Sequence, residues 1–166
     1  MGEINAEKHF VEYITSHKES HYRLAYSYVK NVEDALDVVQ ESIYKAISTL
    51  STLKNPEYLK TWFYKILVNT SLDLLRKRKK LVVMDEEALS GLDSEVFDRY
   101  EEIDLQNALD RLPISYRSVV VLRFFEDLKI EDIAAVLDEN VNTVKTRLYK
   151  ALKMLRIEMD DCDQEG

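Results

Sequence analysis

Residues 127–156 read DLKIEDIAAVLDENVNTVKTRLYKALKMLR, and this stretch decides the fold of the C-terminal part of the chain. Apolar residues recur in it at intervals of three and four, which predicts two helices that each bury one face. The first stripe consists of Ile130, Ile133, Ala134 and Leu137, and the second of Val141, Val144, Leu148, Leu152 and Leu155. The turn-prone run Asp138-Glu139-Asn140 separates the two stripes.

The second of these helices is basic on its outward face. Its charged residues are Lys145, Arg147, Lys150, Lys153 and Arg156, and no acidic residue lies among them. The whole chain has a net charge of −8, so a helix without acids stands out against its background. Two short helices joined by a tight turn, the second of them basic, are typical of a helix-turn-helix that places its second helix in the DNA major groove.

Composition excludes several other classes of protein. The 166 residues are enough for one domain or two small ones, and 46% of them are hydrophobic, which suffices for a packed core. None of the three glycines, Gly2, Gly91 and Gly166, belongs to a glycine-rich phosphate loop. The single Cys162 can form no internal disulfide, which suits a reducing cytoplasm. Neither a signal peptide nor an apolar run of about 20 residues is present, so we expect a cytoplasmic protein.

Charge is distributed in blocks that predict two modules. Residues 1–80 hold 13 basic and 10 acidic residues, and residues 105–156 hold 9 basic and 7 acidic ones. Between them, residues 81–104 hold 1 basic and 9 acidic residues, and the tail 157–166 adds 5 acids. We interpret 81–104 as a linker that contains a domain boundary, the alternative being a short acidic helix packed on one module. Such a linker of about 24 residues spans roughly 80 Å when fully extended.

The first module is predicted to contain a helix with an acidic arc. Residues 33–50 carry an apolar face made of Ala35, Val38, Val39, Ile43, Ala46, Ile47 and Leu50. A separate arc at spacings of three and four holds Asp34, Asp37, Gln40, Glu41 and Tyr44. Two interpretations of this arc remain open: a solvated acidic face, or a docking face for a basic partner.

A second helix of this module is predicted to begin at Asn55-Pro56-Glu57, with Asn55 as its cap, and to run to about Lys80. Leu59, Trp62, Phe63, Ile66 and Leu67 are expected to face the core. The other side carries Lys60, Thr61, Tyr64, Lys65, Asn69, Arg76 and the basic run 77–80. Cations interleaved with aromatic and polar residues suit a nucleic-acid strand with unpaired bases. The alternative is that the terminal cations only offset the helix dipole.

Three stretches, taken in order, resemble bacterial sigma factors of the extracytoplasmic-function group, within the sigma-70 family, across nearly the whole chain. They are DALDVVQESIYKA (34–46), TWFYKILVNTSLDLLRKRKK (61–80) and ALDRLPISYRSVVVLRFFEDLKIEDIAAVLDENVNTVKTRLYKALKMLR (108–156). A helix-turn-helix alone is weak evidence because many regulators have one, whereas the three motifs in this order are specific. In its detailed amino-acid sequence, the chain looks most like the sigma-V type of Gram-positive envelope-stress regulators.

The resemblance implies an all-α protein of two small helical domains joined by an acidic linker. Residues 1–80 would dock on core RNA polymerase and open the −10 element, and residues 105–156 would read the −35 element as duplex. Docking would use Asp34, Asp37, Gln40, Glu41 and Tyr44. The −10 strand would contact Leu53, Lys54, Asn55, Tyr58, Lys60, Thr61, Lys65, Asn69 and Arg76. The −35 element would be read by Asn142, Thr143, Lys145, Thr146, Arg147, Tyr149 and Lys150, while Arg123 would brace the backbone.

The sequence departs from the family's pattern at the turn of the helix-turn-helix. Asp138 and Glu139 stand where the family often has Gly and an apolar residue. Asp tolerates a left-handed backbone, so we expect the turn to be kept. Glu139 is expected to repel DNA phosphates, which predicts weak DNA binding by the free chain. Leu36 also replaces a frequent acid of the docking motif.

The same resemblance implies three partners: core RNA polymerase, promoter DNA and a membrane-bound anti-sigma factor that would hold the chain at the inner face of the membrane. No small-molecule substrate, cofactor, metal or catalytic residue is expected, and His17 and His21 are interpreted as a solvated pair. The alternative is a conventional dimeric helix-turn-helix regulator. It would need a sensing or dimerising module at residues 1–80, yet that region is basic and aromatic.

Overall fold

The computed structural model describes the backbone of residues 2–84 and 101–165, and the side chains of residues 5–79, 105 and 107–156. All regular elements in these residues are helical, which confirms the all-α prediction. The first bundle comprises α1 (Gly2–Ser16), α2 (Lys18–Val29), α3 (Val32–Thr49) and α4 (Leu59–Met84). The second bundle comprises α5 (Glu101–Arg111), α6 (Ile114–Val120), α7 (Ile130–Leu137) and α8 (Val141–Glu165). Two 3₁₀ turns, Leu50–Thr52 and Pro56–Tyr58, connect α3 to α4, and a single π-helical turn, Val121–Phe125, follows α6.

Side-chain caps fix where the helices of the first bundle begin. The Asn31 side chain accepts a hydrogen bond of 3.0 Å from the Asp34 N–H and starts α3. Asn55, as predicted, caps the next segment by accepting from the Glu57 N–H at 3.0 Å, although one 3₁₀ turn precedes α4. In both places the capping oxygen satisfies an N–H that has no partner within the helix.

Two helices extend further than the sequence predicts. We expected α4 to end near Lys80, but it continues to Met84 because residues 81–84 (LVVM) contain no helix breaker. The last helix, α8, continues through the acidic tail to Glu165. The predicted linker 81–104 is therefore helical at both ends, and its central part, 85–100, lies outside the described residues.

The core of the first bundle forms where α2, α3 and α4 pack together. Phe10 and Phe63 meet edge to face, with ring centroids 5.9 Å apart, and Phe63 is fully buried while Trp62 is half-buried. Ile47, predicted to face the core, is instead 55% exposed. Ile47 follows the half-buried Val39 and Ile43 at intervals of four residues, so the three side chains lie in one row. This row is at the edge of the apolar face, and the neighbouring helices do not cover it as far as Ile47.

His21 belongs to this core, so its interpretation as half of a solvated pair is wrong. The ring is completely buried and lies 4.7 Å from the ring of Phe63, between centroids. Its Nε2 is 3.1 Å from the Tyr13 hydroxyl. Burial lowers the pKa of His21 from 6.5 to about 4, with smaller contributions from the nearby charges of His17 and Lys60.

Mild acid is therefore expected to destabilise the fold through His21. The unfolded chain binds this proton near pH 6.5 and the folded chain only near pH 4, so stability is retained above about pH 6.5 and lost as the pH falls. Going from pH 7 to pH 5 should remove about 2 kcal/mol from the free energy of unfolding. Urea titrations at the two pH values measure this loss. The variant His21→Phe should lose less on acidification, and an equal loss in both proteins would contradict the assignment.

The helix-turn-helix forms as predicted in the second bundle. Asp138 adopts the expected left-handed backbone (φ 56°, ψ 45°), and the Asn140 side chain caps α8 by accepting from the Thr143 N–H at 2.8 Å. Ile133, Ala134 and Val144 are buried between the two helices. Leu152, predicted to face the core, is 41% exposed, and Ala151 is buried in its place. The helical period of 3.6 residues explains this difference, because it places residue 151, rather than residue 152, on the same buried face as residues 144 and 148.

The two bundles are in direct contact, a feature that the sequence did not predict. Helix α4 packs on α7, and buried residues of both bundles form one continuous apolar cluster. Tyr64, predicted on the polar side of α4, is buried in this contact and donates a hydrogen bond of 2.8 Å to Glu126. The prediction failed because the covering surface comes from the other half of the chain.

Candidate nucleic-acid and partner-binding surfaces

Four of the five residues of the predicted acidic arc share an exposed surface of α3. Asp37, Gln40, Glu41 and Tyr44 are exposed, and Glu41 forms only a solvent-accessible pair with Lys45 at 3.6 Å. The fifth, Asp34, is half-buried and forms an ion pair with Arg78 of α4. Arg78 also donates to the Val29 carbonyl at 3.1 Å, so it ties together the ends of three helices. Asp34 is thus engaged within the bundle, whereas the other four are free to meet a partner.

An apolar groove borders this acidic arc and was missed in the sequence. It has a volume of about 440 Å³ and lies between α1, α2 and α3. Leu36, which is 55% exposed, Val39 and Ile43 form one wall, and Gln40 belongs to both the arc and the groove. The sequence could have predicted this groove, because the apolar arc of α3 is wider than the arc that a helix buries against one packed neighbour. The surface therefore offers carboxylates beside exposed aliphatic side chains.

The predicted −10 residues lie along α4 and the turn before it. Lys65, Asn69 and Arg76 are exposed on α4, Tyr58 and Lys54 are exposed before it, and Lys60, Thr61, Leu53 and Asn55 are half-buried. Arg76 is not a bare cation, because it donates to Asp73 at 2.8 Å. Asn55 uses its side-chain oxygen for the cap. The remaining exposed groups are the ammonium groups of Lys54 and Lys65, the amide of Asn69 and the ring of Tyr58, along α4 and the turn that precedes it.

A cavity of about 450 Å³ lies between this approach and α1. Leu53, Pro56 and Leu59 line it from one side, and Asn5 and His9 from α1 line it from the other. Leu53 was a predicted site residue, but the part played by α1 was not visible in the sequence because more than 40 residues separate the two walls.

The exposed face of α8 is polar and basic, as predicted. Tyr149 is 72% exposed, and Thr143, the residue whose N–H is capped by Asn140, is half-buried. The other exposed members of the predicted set are Asn142, Lys145, Thr146 and Lys150. These side chains stand on the first two and a half turns of the helix, where short polar and basic groups can reach base edges and phosphates.

Arg147 and Arg123 make intramolecular contacts that the sequence did not reveal. Arg147 is half-buried and pairs with Glu139 across the turn at 3.2 Å. Glu139 is therefore not an isolated acid, because Arg147 compensates its charge; its repulsion of DNA phosphates stays a prediction. Arg123 donates to the Leu128 carbonyl at 3.2 Å and braces the loop that leads into α7.

The described residues form neither a metal-binding cluster nor a membrane span. Among them, no group of three or more His, Cys, Asp or Glu side chains is arranged to hold a metal ion. Within residues 2–84 and 101–165, every helix is too short or too polar to span a bilayer.

Comparison with known proteins matches both bundles to one family. Residues 13–81 match the model of sigma-70 region 2, and residues 102–155 match that of sigma-70 region 4. RNA polymerase sigma factor SigV of Bacillus subtilis is 58% identical over 146 residues, which cover 88% of each chain. ECF RNA polymerase sigma factor SigW of the same organism is 29% identical, over 92% of this chain and 89% of the relative.

Two solved structures share the fold. The sigma factor RpoE of Bartonella quintana, in complex with the anti-sigma factor NepR, superimposes with a TM-score of 0.73 at 21% identity, over 91% of this chain and 96% of that one. CnrH in complex with the cytosolic domain of CnrY superimposes with a TM-score of 0.69 at 23% identity, over 96% and 97% of the two chains.

Proposed function

Because the chain belongs to the extracytoplasmic-function group of sigma-70 RNA polymerase sigma factors, we propose that its two bundles divide promoter recognition between them. As a sigma factor, the protein directs core RNA polymerase to promoters and initiates transcription. Residues 1–80 are the docking and −10 module, 105–156 the −35 module, 81–104 the tether and 157–166 an acidic tail. The basic, exposed face of α8, in a chain that is acidic overall, is the observation that carries this assignment.

Docking on polymerase uses the exposed arc of Asp37, Gln40, Glu41 and Tyr44. Carboxylates on an exposed helix attract a basic partner surface, and the neighbouring groove at Leu36 can take up apolar side chains of the same partner. Asp34 contributes indirectly, because its ion pair with Arg78 fixes α3 against α4.

The −10 strand follows α4. Lys65 and Arg76 neutralise phosphates, Asn69 offers an amide to a phosphate or a base, and Tyr58 provides a ring on which an unpaired base can stack. Leu53, Lys54, Asn55, Lys60 and Thr61 complete the contacts at the approach to the helix. The −35 duplex is read by the exposed residues of α8. Thr143 and Arg147, which are half-buried, lie at the edge of this surface.

We further propose that an anti-sigma factor binds this chain and that the pair resides at the inner face of the membrane, where it controls envelope-stress genes. RpoE of Bartonella quintana was solved with the anti-sigma factor NepR, and CnrH was solved with the cytosolic domain of CnrY, which supports this part. The competing idea of a dimeric helix-turn-helix regulator gains no support from SigV and SigW of Bacillus subtilis, both of which are RNA polymerase sigma factors.

Reconstituted transcription tests the function together with the −10 assignment. The chain added to core polymerase should produce a promoter-specific transcript and permanganate-reactive thymines in the −10 region. Lys65→Ala with Asn69→Ala should reduce open complexes about 30-fold, because each change removes a strand contact worth about 1 kcal/mol, while polymerase binding stays constant.

The matched control is Lys8→Ala with Thr15→Ala on α1, which likewise removes one exposed cation and one exposed neutral polar side chain. Loss of polymerase binding by the α4 variant would show that this helix is misassigned. Tight binding of the chain alone to a palindromic duplex, without polymerase, would favour the dimeric regulator.

A further inference from the structure

Helix α8 separates its charges along its length. The charged residues at positions 141–156 are all basic, and the five charged residues after position 156 are all acidic. The backbone of α8 is one continuous helix from Val141 to Glu165, which makes it about 37 Å long. A continuous helix of this kind cannot fold its acidic half back onto its own basic half.

One exposed row of α8 mixes cations with large apolar side chains. At intervals of three and four residues, which bring side chains to one face, this row contains Asn142, Lys145, Tyr149, Leu152 and Arg156. All five residues are exposed, Tyr149 at 72% and Leu152 at 41%. The buried residues Val144, Ala151 and Leu155 lie on another face, against the rest of the bundle. The row is therefore open to a second helix.

The row continues into the acidic half, where the same intervals reach Asp160 and Asp163. A second α8 that runs in the opposite direction places its Asp160 opposite Lys145 and its Arg156 opposite the ring of Tyr149, a favourable cation–ring contact. The same midpoint, between positions 152 and 153, relates position 145 to 160, 149 to 156 and 142 to 163, so a single register makes all of these pairs. Twofold symmetry makes each pair occur twice.

The opposite orientation has no such match. Two parallel α8 helices in register would place every charge of the row beside its own copy, and like charges in contact repel. The net charge of −8 on each chain does not prevent the antiparallel pair, because at about 150 mM salt the Debye length is about 8 Å. Distant charges are therefore screened, whereas the paired groups are in contact.

We propose that two copies of the chain associate through an antiparallel pair of α8 helices, and that this pair covers the surface that reads the −35 element. The second clause rests on the proposed function. One helix pair is smaller than the roughly 1,200 Å² of a stable interface, so the association is weak and reversible. The pair hides Lys145 and Tyr149, whereas a dimeric DNA-binding regulator presents both of its recognition helices to the duplex.

Sedimentation equilibrium of the full chain measures the association. The native chain should form dimers with a dissociation constant on the order of 100 μM. Asp160→Lys sets a cation opposite Lys145 at both ends of the pair and should weaken the association at least tenfold. Lys145→Asp with Asp160→Lys exchanges the two charges and should restore it to within about threefold of the native value. Asp161→Lys makes the same charge change about 100° around the helix and should leave it unchanged.

Lysine acetylation followed by mass spectrometry tests which surface the pair covers. With the reagent in constant excess, Lys145 should react several-fold more slowly in concentrated native chain than in dilute chain. Lys65, exposed on α4, should react at the same rate in both samples. In Asp160→Lys, the rate at Lys145 should no longer depend on the concentration of the chain.

Three results would overturn the proposal. The first is a native chain that stays monomeric at about 1 mM, ten times the expected dissociation constant. The second is a charge-exchange variant that keeps its helical circular dichroism but does not associate. The third is a dimer in which Lys145 reacts as fast as in the monomer, because its contact would then lie elsewhere. Failure of the native chain to bind core polymerase would instead count against the proposed function, since sedimentation and acetylation report the pairing without polymerase or DNA.

Discussion

Reversing two exposed charges of α3, with Asp37→Lys and Glu41→Lys together, should weaken binding to core RNA polymerase about 100-fold or more. Both side chains are exposed, so the fold should tolerate the change. Among the residues that the structure describes, the change breaks one ion pair, the exposed Glu41–Lys45 pair, and such a pair contributes at most about 1 kcal/mol. Against a basic partner, two like-charge contacts should cost about 3 kcal/mol, which corresponds to roughly 150-fold in affinity. Titration with labelled polymerase measures the loss.

A matched variant separates a local effect from a change of net charge. Glu7→Lys with Glu12→Lys adds the same four positive charge units at exposed positions of α1. Its affinity for polymerase should stay within a factor of about three of the native chain. If the α3 variant keeps its helical circular dichroism and its affinity, the arc is a solvated face, which is the interpretation that the sequence left open.

Local regularities explain which parts of the fold could be predicted. Helix positions followed from apolar residues at intervals of three and four, because those intervals bring side chains to one face. The Asn55 cap and the left-handed turn at Asp138 followed from the chemistry of single residues. The exposed basic face of α8 was visible for the same reason: each of its residues could be placed by counting from the apolar stripe.

Contacts between distant segments explain what could not be predicted. Tyr64 and Arg23 lie 62 and 103 positions from Glu126, and no local pattern connects them. The same holds for the pair of Arg78 with Asp34, which engages one member of the acidic arc. His21 is a different case, because it lies three and four positions before the buried Leu24 and Ala25, so its burial could be predicted from the helical period and was missed because the residue was grouped with His17.

The recognition helix should show two kinds of loss when its cations are removed. Lys145→Ala, in the first turns of α8, should weaken promoter binding by the polymerase complex about 5- to 150-fold, or 1–3 kcal/mol, if its partner is a base. That loss should depend on one position of the −35 element. Lys153→Ala lies two turns further along and should weaken all sequences alike, lowering the slope of log affinity against log salt by about one unit. Titrations with a panel of −35 variants at several salt concentrations distinguish the two.

Arg147 provides an internal control for these two lysines, because its charge is already neutralised by the ion pair with Glu139. Arg147→Ala removes a cation but leaves Glu139 uncompensated beside the DNA, so its loss of affinity should exceed that of the double variant Arg147→Ala with Glu139→Ala. The free energies of DNA binding of Arg147→Ala and of the double variant should differ by about 1 kcal/mol. This is the expected size of the repulsion between the uncompensated Glu139 carboxylate and a nearby DNA phosphate. Equal losses in the two variants would mean that Glu139 does not repel DNA even when its partner Arg147 is removed. The weak binding expected of the free chain would then come from a source other than the turn acid, namely the net charges of −8 in residues 81–104 and −5 in residues 157–166, which repel phosphate.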